Sequence, residues 1–177
     1  LSVFNIIPPE KDVDLLSDRA AGSFFNGRSL IDPPTPAAII HILEKSNIDI
    51  RGKTIAVFGF GRLVGRFLTP MLVRVGAIVI IIEKNTPPNL VMEFSLKSDI
   101  IISAVGRSET IKADMVKEGA VVVDAGFSLV DNNIVGDVDF NLVKDKASLI
   151  TPVPGGVGPV TVALLFKNIV KLYENNR

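Results

Sequence analysis

Apolar positions along this chain come in short blocks. Thr54 to Phe58, Ala77 to Ile82, Asp99 to Ser103 and Ala120 to Val123 are near-continuous apolar runs rich in β-branched residues. Such runs are expected of parallel strands buried on both faces. Amphipathic stretches lie between them: Leu63 to Val75, ended by Gly76; Asn89 to Lys97; and a shorter one near Lys112 to Lys117. Upstream, Thr35-Pro36 reads as an N-cap and a first-turn proline of a helix that carries Ile39, Ile40 and Leu43 and ends near Ser46 or Asn47. Downstream, Gly136 to Phe140 leads into a helix through about Lys146, a strand at Leu149-Ile150, and a last helix opened by Pro159 that runs from Val160 to about Tyr173. Strands alternating with helices imply βαβ crossovers and an α/β fold, a parallel sheet with helices on both faces. Leu1 to Pro33 is different, because no helical or strand period lasts there. It reads as a functional loop or as a piece whose packing partner lies elsewhere.

Composition narrows the function classes. At 177 residues with 47% hydrophobic content, the chain suits one domain of ordinary size, or one domain plus a fragment of another. Lys+Arg and Asp+Glu balance at 19 each, so nothing points to nucleic acid, and a small molecule is the expected partner. The absence of cysteine excludes disulfides, thiolate metal sites and a cysteine nucleophile, and a single histidine excludes a His-cluster metal site. His41 itself reads as a surface or core-edge residue. No apolar run reaches the roughly 18 residues of a membrane span, and the first residues lack the features of a signal peptide. The expectation is a soluble cytoplasmic protein with no membrane partner.

The candidate chemistry starts where the first strand ends. Gly59, Gly61 and Gly65, spaced G-x-G-x-x-x-G, turn the chain from strand into helix. Such a turn lets backbone N–H groups approach a pyrophosphate at a helix N-terminus, so Gly59, Phe60, Gly61, Arg62, Leu63 and Val64 are candidate dinucleotide contacts. Glu83 ends the second strand, where an acidic residue about 20 residues beyond the glycines accepts hydrogen bonds from ribose hydroxyls. Lys84 follows and could instead meet a ribose phosphate. Ala104, Val105 and Gly106 after the third strand, and Gly126 after the fourth, are small enough to let a cofactor pass the sheet edge. The Pro-Gly-rich loop Pro154, Gly155, Gly156, Val157, Gly158, Pro159, with Thr161 beyond it, is rigid and rich in backbone donors.

Several stretches together resemble the bifunctional methylenetetrahydrofolate dehydrogenase/methenyltetrahydrofolate cyclohydrolase family. They are Pro9 to Asp14, Pro33 to Pro36, Ser103 to Gly106, Lys112 to Val116, Gly136 to Phe140 and, most specifically, Thr151 to Pro159 with Thr161-Val-Ala. The resemblance covers essentially the whole chain but only about the C-terminal three-fifths of a family member. It implies a Rossmann-like NAD(P)-binding domain over residues 34–160, a remnant of the folate-binding catalytic domain over 1–33, and a C-terminal helix over 161–177 packing back toward that domain. It also implies tetrahydrofolate as substrate, Asp14 as the residue anchoring the pterin, and a homodimer through the cofactor domains.

The family's water-activating lysine, in Tyr-x-x-x-Lys, and its glutamine, in Gln-Leu-Pro, have no counterpart here. Tyr173 has no lysine four residues on, and the chain contains no glutamine. The chain alone is therefore expected to be inactive. Other departures concern ligands. Leu15 stands where the family has glycine after the pterin aspartate, and Pro34 where it has cysteine. Phe60 replaces the arginine that meets the 2′-phosphate of NADP, and Glu83-Lys84 replaces His-Ser. A carboxylate near the ribose in place of a cation disfavours a phosphate, so the charges favour NAD over NADP. Two other readings stay open: a non-catalytic dinucleotide-binding module, and a dehydrogenase of another small substrate.

Overall fold

The computed structural model describes residues 3–175. Four strands, β1 (Thr54–Phe58), β2 (Ile78–Ile82), β3 (Ile100–Ser103) and β4 (Val121–Asp124), are followed by a hairpin, β5 (Ser128–Val130) and β6 (Asn133–Val135), and a short strand β7 (Leu149–Ile150). All but the hairpin pair in parallel in the order β2-β1-β3-β4-β7, with Val57 opposite Ile81 on one side and Ile102 on the other. The helices are α1 (Asp18–Phe25), α2 (Pro34–Lys45), α3 (Gly65–Arg74), α4 (Pro88–Lys97), α5 (Phe140–Val143) and α6 (Val157–Asn175).

Alternation along the central strands splits the core into two layers. Ile55, Val57, Ile100, Ile102 and Val123 point to the face covered by α2, α3 and the start of α6, where Ile39, Leu43, Leu68 and Leu72 are buried. Ala56, Phe58, Ile101 and Val122 point to the other face, covered by α4, the turn around Met115 and Val116, and α5. The expected parallel α/β sheet with helices on both faces is therefore present. The chain leaves β1 to β2 on one side and returns across it to β3 on the other, so the strand order reverses at β1. In open α/β sheets that reversal opens a crevice at the carboxyl ends of the strands.

Several local expectations are corrected. Residues 1–33 are not irregular throughout: α1 lies there, capped by Ser17, whose Oγ accepts the Ala20 N–H at 3.2 Å. Ala20 and Phe24 are buried with Leu15, Ile31, Phe67 and Leu172, so the segment packs on α3 and α6. Asn168 on α6 fastens it further, donating to the carbonyls of Val13 and Asp32, each at 2.9 Å. The first residues of the chain, Leu1 and Ser2, lie outside the described residues, as do Asn176 and Arg177 at the end.

β2 is an edge strand, and Ile78 on it is 57% exposed, so it is not buried on both faces. α2 is entered through Pro33 with no side-chain cap, not through Thr35. α3 begins at Gly65 and not at Leu63. Near Lys112 only a 3-10 turn forms, Ala113–Met115, and the helix after Asp139 stops at Val143. α6 starts at Val157, which puts Pro159 within its first turn, where a missing N–H costs nothing. The β5–β6 hairpin was not anticipated; its turn places Asp131 and Asn132 at positive φ, a conformation these residue types tolerate.

Candidate functional site

The glycine turn sits at the strand-order reversal, and its three glycines have different tasks. Gly59 has φ +90°, and a Cβ on it would lie 2.9 Å from the Ala104 carbonyl oxygen. Gly65 lets α3 start against the turn: a Cβ there would overlap the Gly59 carbonyl oxygen and lie 2.8 Å from Phe60 Cα. Gly61 meets nothing within 4 Å. Two glycines thus serve the packing of the chain, and the third leaves bare backbone facing open space. No side chain caps the N-terminus of α3; the Arg66 and Phe67 N–H groups donate to the carbonyls of Gly61 and Val64, each at 3.1 Å.

Above this turn lies a cavity of about 530 Å³, lined by Gly59 to Gly61, Glu83, Lys84, Ala104 and Val105 among others. The Phe60 N–H donates to Glu83 Oε1, and the Glu83 N–H donates to Thr86 Oγ1 at 3.0 Å. The carboxylate is thereby held over the turn. Thr86, Val91, Arg107, Thr110 and Met115 also line it, none of them a sequence candidate. They are scattered from residue 86 to 115 and gather only when α4 and the 105–111 loop close on β1 and β3.

Other candidates lie outside this cavity. The Arg62 guanidinium turns back to the N-terminal segment, where it donates to the Leu16 carbonyl and lies 5.1 Å over the Phe4 ring. Leu63 is exposed, and Val64 packs against the core. Gly106, at φ +73°, hands its N–H inward to Asp137 at 3.2 Å.

A second cavity, about 340 Å³, lies at the carboxyl end of β4 and is lined by Gly126 and by the candidate stretch Pro154 to Pro159, of which Val157 to Pro159 form the first turn of α6 and not a loop. Thr35 from α2, Asp124, Phe127 and Ile134 also line it, as does Thr161. The loop is tightly wound: Gly155 has φ +110°, and the Gly156 N–H donates to the Pro152 carbonyl at 2.8 Å. The Thr161 hydroxyl donates within its own helix, to the Val157 carbonyl at 3.0 Å.

Between the cavities lies a buried carboxylate pair that sequence reasoning did not single out, although Gly136 to Phe140 contains half of it. Asp137 is fully buried and accepts from Ser103 Oγ at 2.7 Å and from the N–H groups of Val105, Gly106 and Arg107 at 2.7, 3.2 and 2.8 Å. Asp124 accepts from the N–H groups of Gly126, Asp137 and Val138 at 2.8, 3.2 and 2.9 Å. Burial pushes the Asp124 carboxyl above its ordinary value, against the pull of those N–H groups, and the Asp137 charge adds to the push. Cβ atoms on Gly126 and Gly136 would overlap the Asp137 and Asp124 carboxyls, so these glycines make room for the pair.

Asp14 lies in neither cavity. It is half-buried, and burial, with the Asp12 charge beside it, raises its carboxyl above the ordinary value of 3.8. Asp12 is engaged by the N–H groups of Leu16 and Ser17 at 2.9 and 2.8 Å. Leu15 between them has φ +56°, a left-handed conformation that suits the family's glycine, and yet it is buried. Among the described residues no group of three acidic or histidine side chains could hold a metal, and no helix is long and apolar enough to cross a membrane.

A family model described as tetrahydrofolate dehydrogenase/cyclohydrolase, NAD(P)-binding domain, matches residues 33–177. The bifunctional protein FolD of Lactobacillus delbrueckii subsp. bulgaricus is 46% identical over 170 residues, which are 96% of this chain and 59% of that protein. The solved structure of the bifunctional FolD methylenetetrahydrofolate dehydrogenase/cyclohydrolase of Campylobacter jejuni superposes with a TM-score of 0.92 at 38% identity, over 99% of this chain and 62% of that one. A Trypanosoma brucei methylenetetrahydrofolate dehydrogenase-cyclohydrolase, solved with NADP cofactor and inhibitor, gives 0.88 at 34% identity, over 96% of this chain and 60% of that one. The chain thus spans about three-fifths of the length of such relatives. It belongs to the tetrahydrofolate dehydrogenase/cyclohydrolase family, of which it carries the NAD(P)-binding domain.

Proposed function

We propose that this chain supplies the dinucleotide-binding part of an enzyme that oxidises methylenetetrahydrofolate to methenyltetrahydrofolate and hydrolyses the product to formyltetrahydrofolate. The observation that carries the reading is the pair of cavities along one sheet edge, the first over an open glycine turn with a carboxylate pinned at its rim. A dinucleotide fits that arrangement. The open backbone at Gly61 faces the pyrophosphate at the N-terminal end of α3, while the Gly59 and Phe60 N–H groups shape the turn by donating to the Ile82 carbonyl and to Glu83. Glu83, with one oxygen on the Phe60 N–H, keeps its other oxygen for the ribose hydroxyls.

The nicotinamide, when bound, supplies the hydride acceptor. The strand end at Ser103 to Gly106 and the loop at Gly155 to Pro159 orient it, and orientation is the main demand of a step that needs no general base. Asp14 anchors the pterin; a half-buried carboxylate pressed by Asp12 suits a ligand that donates hydrogen bonds to it. Activation of water for the hydrolysis falls to a group outside these residues. In the whole protein residues 34–160 form the cofactor domain, residues 1–33 belong to the edge of the folate domain, and residues 161–177 pack toward it. We further assign the protein to the cytoplasm and to homodimers through the cofactor domains.

The cofactor preference is NAD. Phe60 offers no cation to a 2′-phosphate, and the Glu83 carboxylate over the turn repels one; the exposed Lys84 and Arg107, which also line the cavity, are the counterweight. The test is methylenetetrahydrofolate-dependent reduction of NAD and of NADP by the full-length protein and its Glu83→Gln variant. Faster NAD reduction per KM is expected, with the ratio falling about tenfold or more in the variant. A higher kcat/KM with NADP in the unsubstituted protein overturns the preference, and no folate-dependent reduction of either overturns the function.

A further inference from the structure

Asp124 lines the second cavity, and Asp137 lies behind the wall of the first; among the described residues no ion pair engages either carboxylate. The Asp137 carboxylate is bonded by the hydroxyl at the end of β3 and by three successive backbone N–H groups of the loop that follows, residues 105 to 107. Val105 and Arg107 of that loop line the first cavity. The Asp137 N–H reaches across to Asp124 Oδ1 at 3.2 Å, and Asp124 lines the second cavity and holds the Gly126 N–H at 2.8 Å. One continuous set of hydrogen bonds therefore sets the shape of the wall of the nucleotide cavity and of the turn that borders the other. The arrangement is demanding. It fills space that Gly126 and Gly136 leave free, and it turns three N–H groups inward that would otherwise need partners in the cavity.

We propose that the Asp137 carboxylate is a positioning group for the dinucleotide: it presets the 105–107 loop against the nucleotide, and Asp124 ties that loop to the β4 end beside the second cavity. The inference rests on the dinucleotide reading above. Asparagine at 137 is nearly isosteric but must replace one acceptor oxygen with an NH₂ that confronts an N–H donor, so the loop has to reorganise. A side chain serving stability alone would lower the melting temperature and leave ligand affinities untouched well below it. A positioning group weakens the dinucleotide selectively.

The experiment is calorimetric titration of the full-length protein with NAD, NADP and tetrahydrofolate, comparing it with Asp137→Asn. The variant is expected to bind the preferred dinucleotide about tenfold more weakly, with the tetrahydrofolate affinity changed by no more than about twofold. Dinucleotide affinity equal to that of the unsubstituted protein overturns the proposal, and so does equal weakening of both ligands. If Asp137→Asn does not fold, Ser103→Ala decides. That change removes one donor to the carboxylate and leaves its charge, and is expected to weaken the dinucleotide by about two- to fivefold; unchanged affinity overturns the proposal. Failure of the unsubstituted protein to bind any dinucleotide overturns the underlying reading instead, and is seen before any substitution is made.

Discussion

The division of labour among the three glycines makes a sharp prediction about Gly61→Ala and Gly65→Ala. In the ligand-free protein a Cβ on Gly61 has nothing within 4 Å, and Gly61 is not among the residues with positive φ. Alanine there keeps the fold, with a stability change within about 0.5 kcal/mol. The methyl group instead occupies the approach of the pyrophosphate to the turn, where overpacking costs about 1–3 kcal/mol, or roughly a 5- to 150-fold weaker dinucleotide. Gly65→Ala behaves differently. Its Cβ would overlap the Gly59 carbonyl oxygen and stand 2.8 Å from Phe60 Cα, short of the 3.4 Å at which ordinary contact begins. Every clashing atom is backbone, so either the turn or the start of α3 must shift. A cost of about 2–3 kcal/mol follows, and for a chain of this size each kcal/mol lowers the melting temperature by roughly 2–4 °C. Thermal melts by circular dichroism and calorimetric titration with NAD separate the two effects. The reasoning is refuted if Gly61→Ala binds the dinucleotide as tightly as the unsubstituted protein, or if Gly65→Ala melts at the same temperature.

Leu15→Gly trades strain for burial. Release of a left-handed leucine returns about 1 kcal/mol, while loss of a side chain only 4% exposed costs more, for a net destabilisation of about 2–3 kcal/mol in urea unfolding. A variant as stable as the parent would contradict the packing of the N-terminal segment on Phe67 and Leu172. Asp14→Asn acts in the other direction. Because the folded-state pKa is raised, the carboxyl favours the folded state below 3.8, and that contribution is lost as pH rises through the raised value. The asparagine variant is therefore expected to be more stable at pH 7, a gain that shrinks as the pH falls toward 3.8, together with weaker tetrahydrofolate binding. A gain that grows on acidification would show the sign to be wrong.

What could be read from the residues alone was whatever depends on neighbours in the chain. The β-branched runs at Thr54 to Phe58, Asp99 to Ser103 and Ala120 to Val123 specify strands to within a residue at each end, the glycines at 59, 61 and 65 specify a turn into a helix, and Glu83 follows at the strand end that faces that turn. The Pro-Gly loop before α6 declared itself in the same way, by composition within ten residues. Backbone sterics and side-chain period act over such distances, so the sequence carries them without help.

Tertiary structure decided the rest. α1 is only 8 residues long, too short for a period to stand out among its irregular flanks, and it buries Ala20 and Phe24 against Phe67 and Leu172, far along the chain. The edge position of β2 follows from strand order, which no single run reveals. The turn near Lys112 stays a single 3-10 turn, despite helical composition, where Met115 and Val116 are buried against the sheet. The first cavity draws Thr86, Arg107, Thr110 and Met115 together from separate loops, while Arg62, beside the glycines in sequence, points away from it. Asp137 meets Ser103 from 34 residues away, and its carboxylate also takes the N–H groups of Val105, Gly106 and Arg107 in the loop after β3. Pairing groups so distant requires the sheet to exist first, because only the assembled core supplies both the proximity and the exclusion of water that make a buried charge bind its donors.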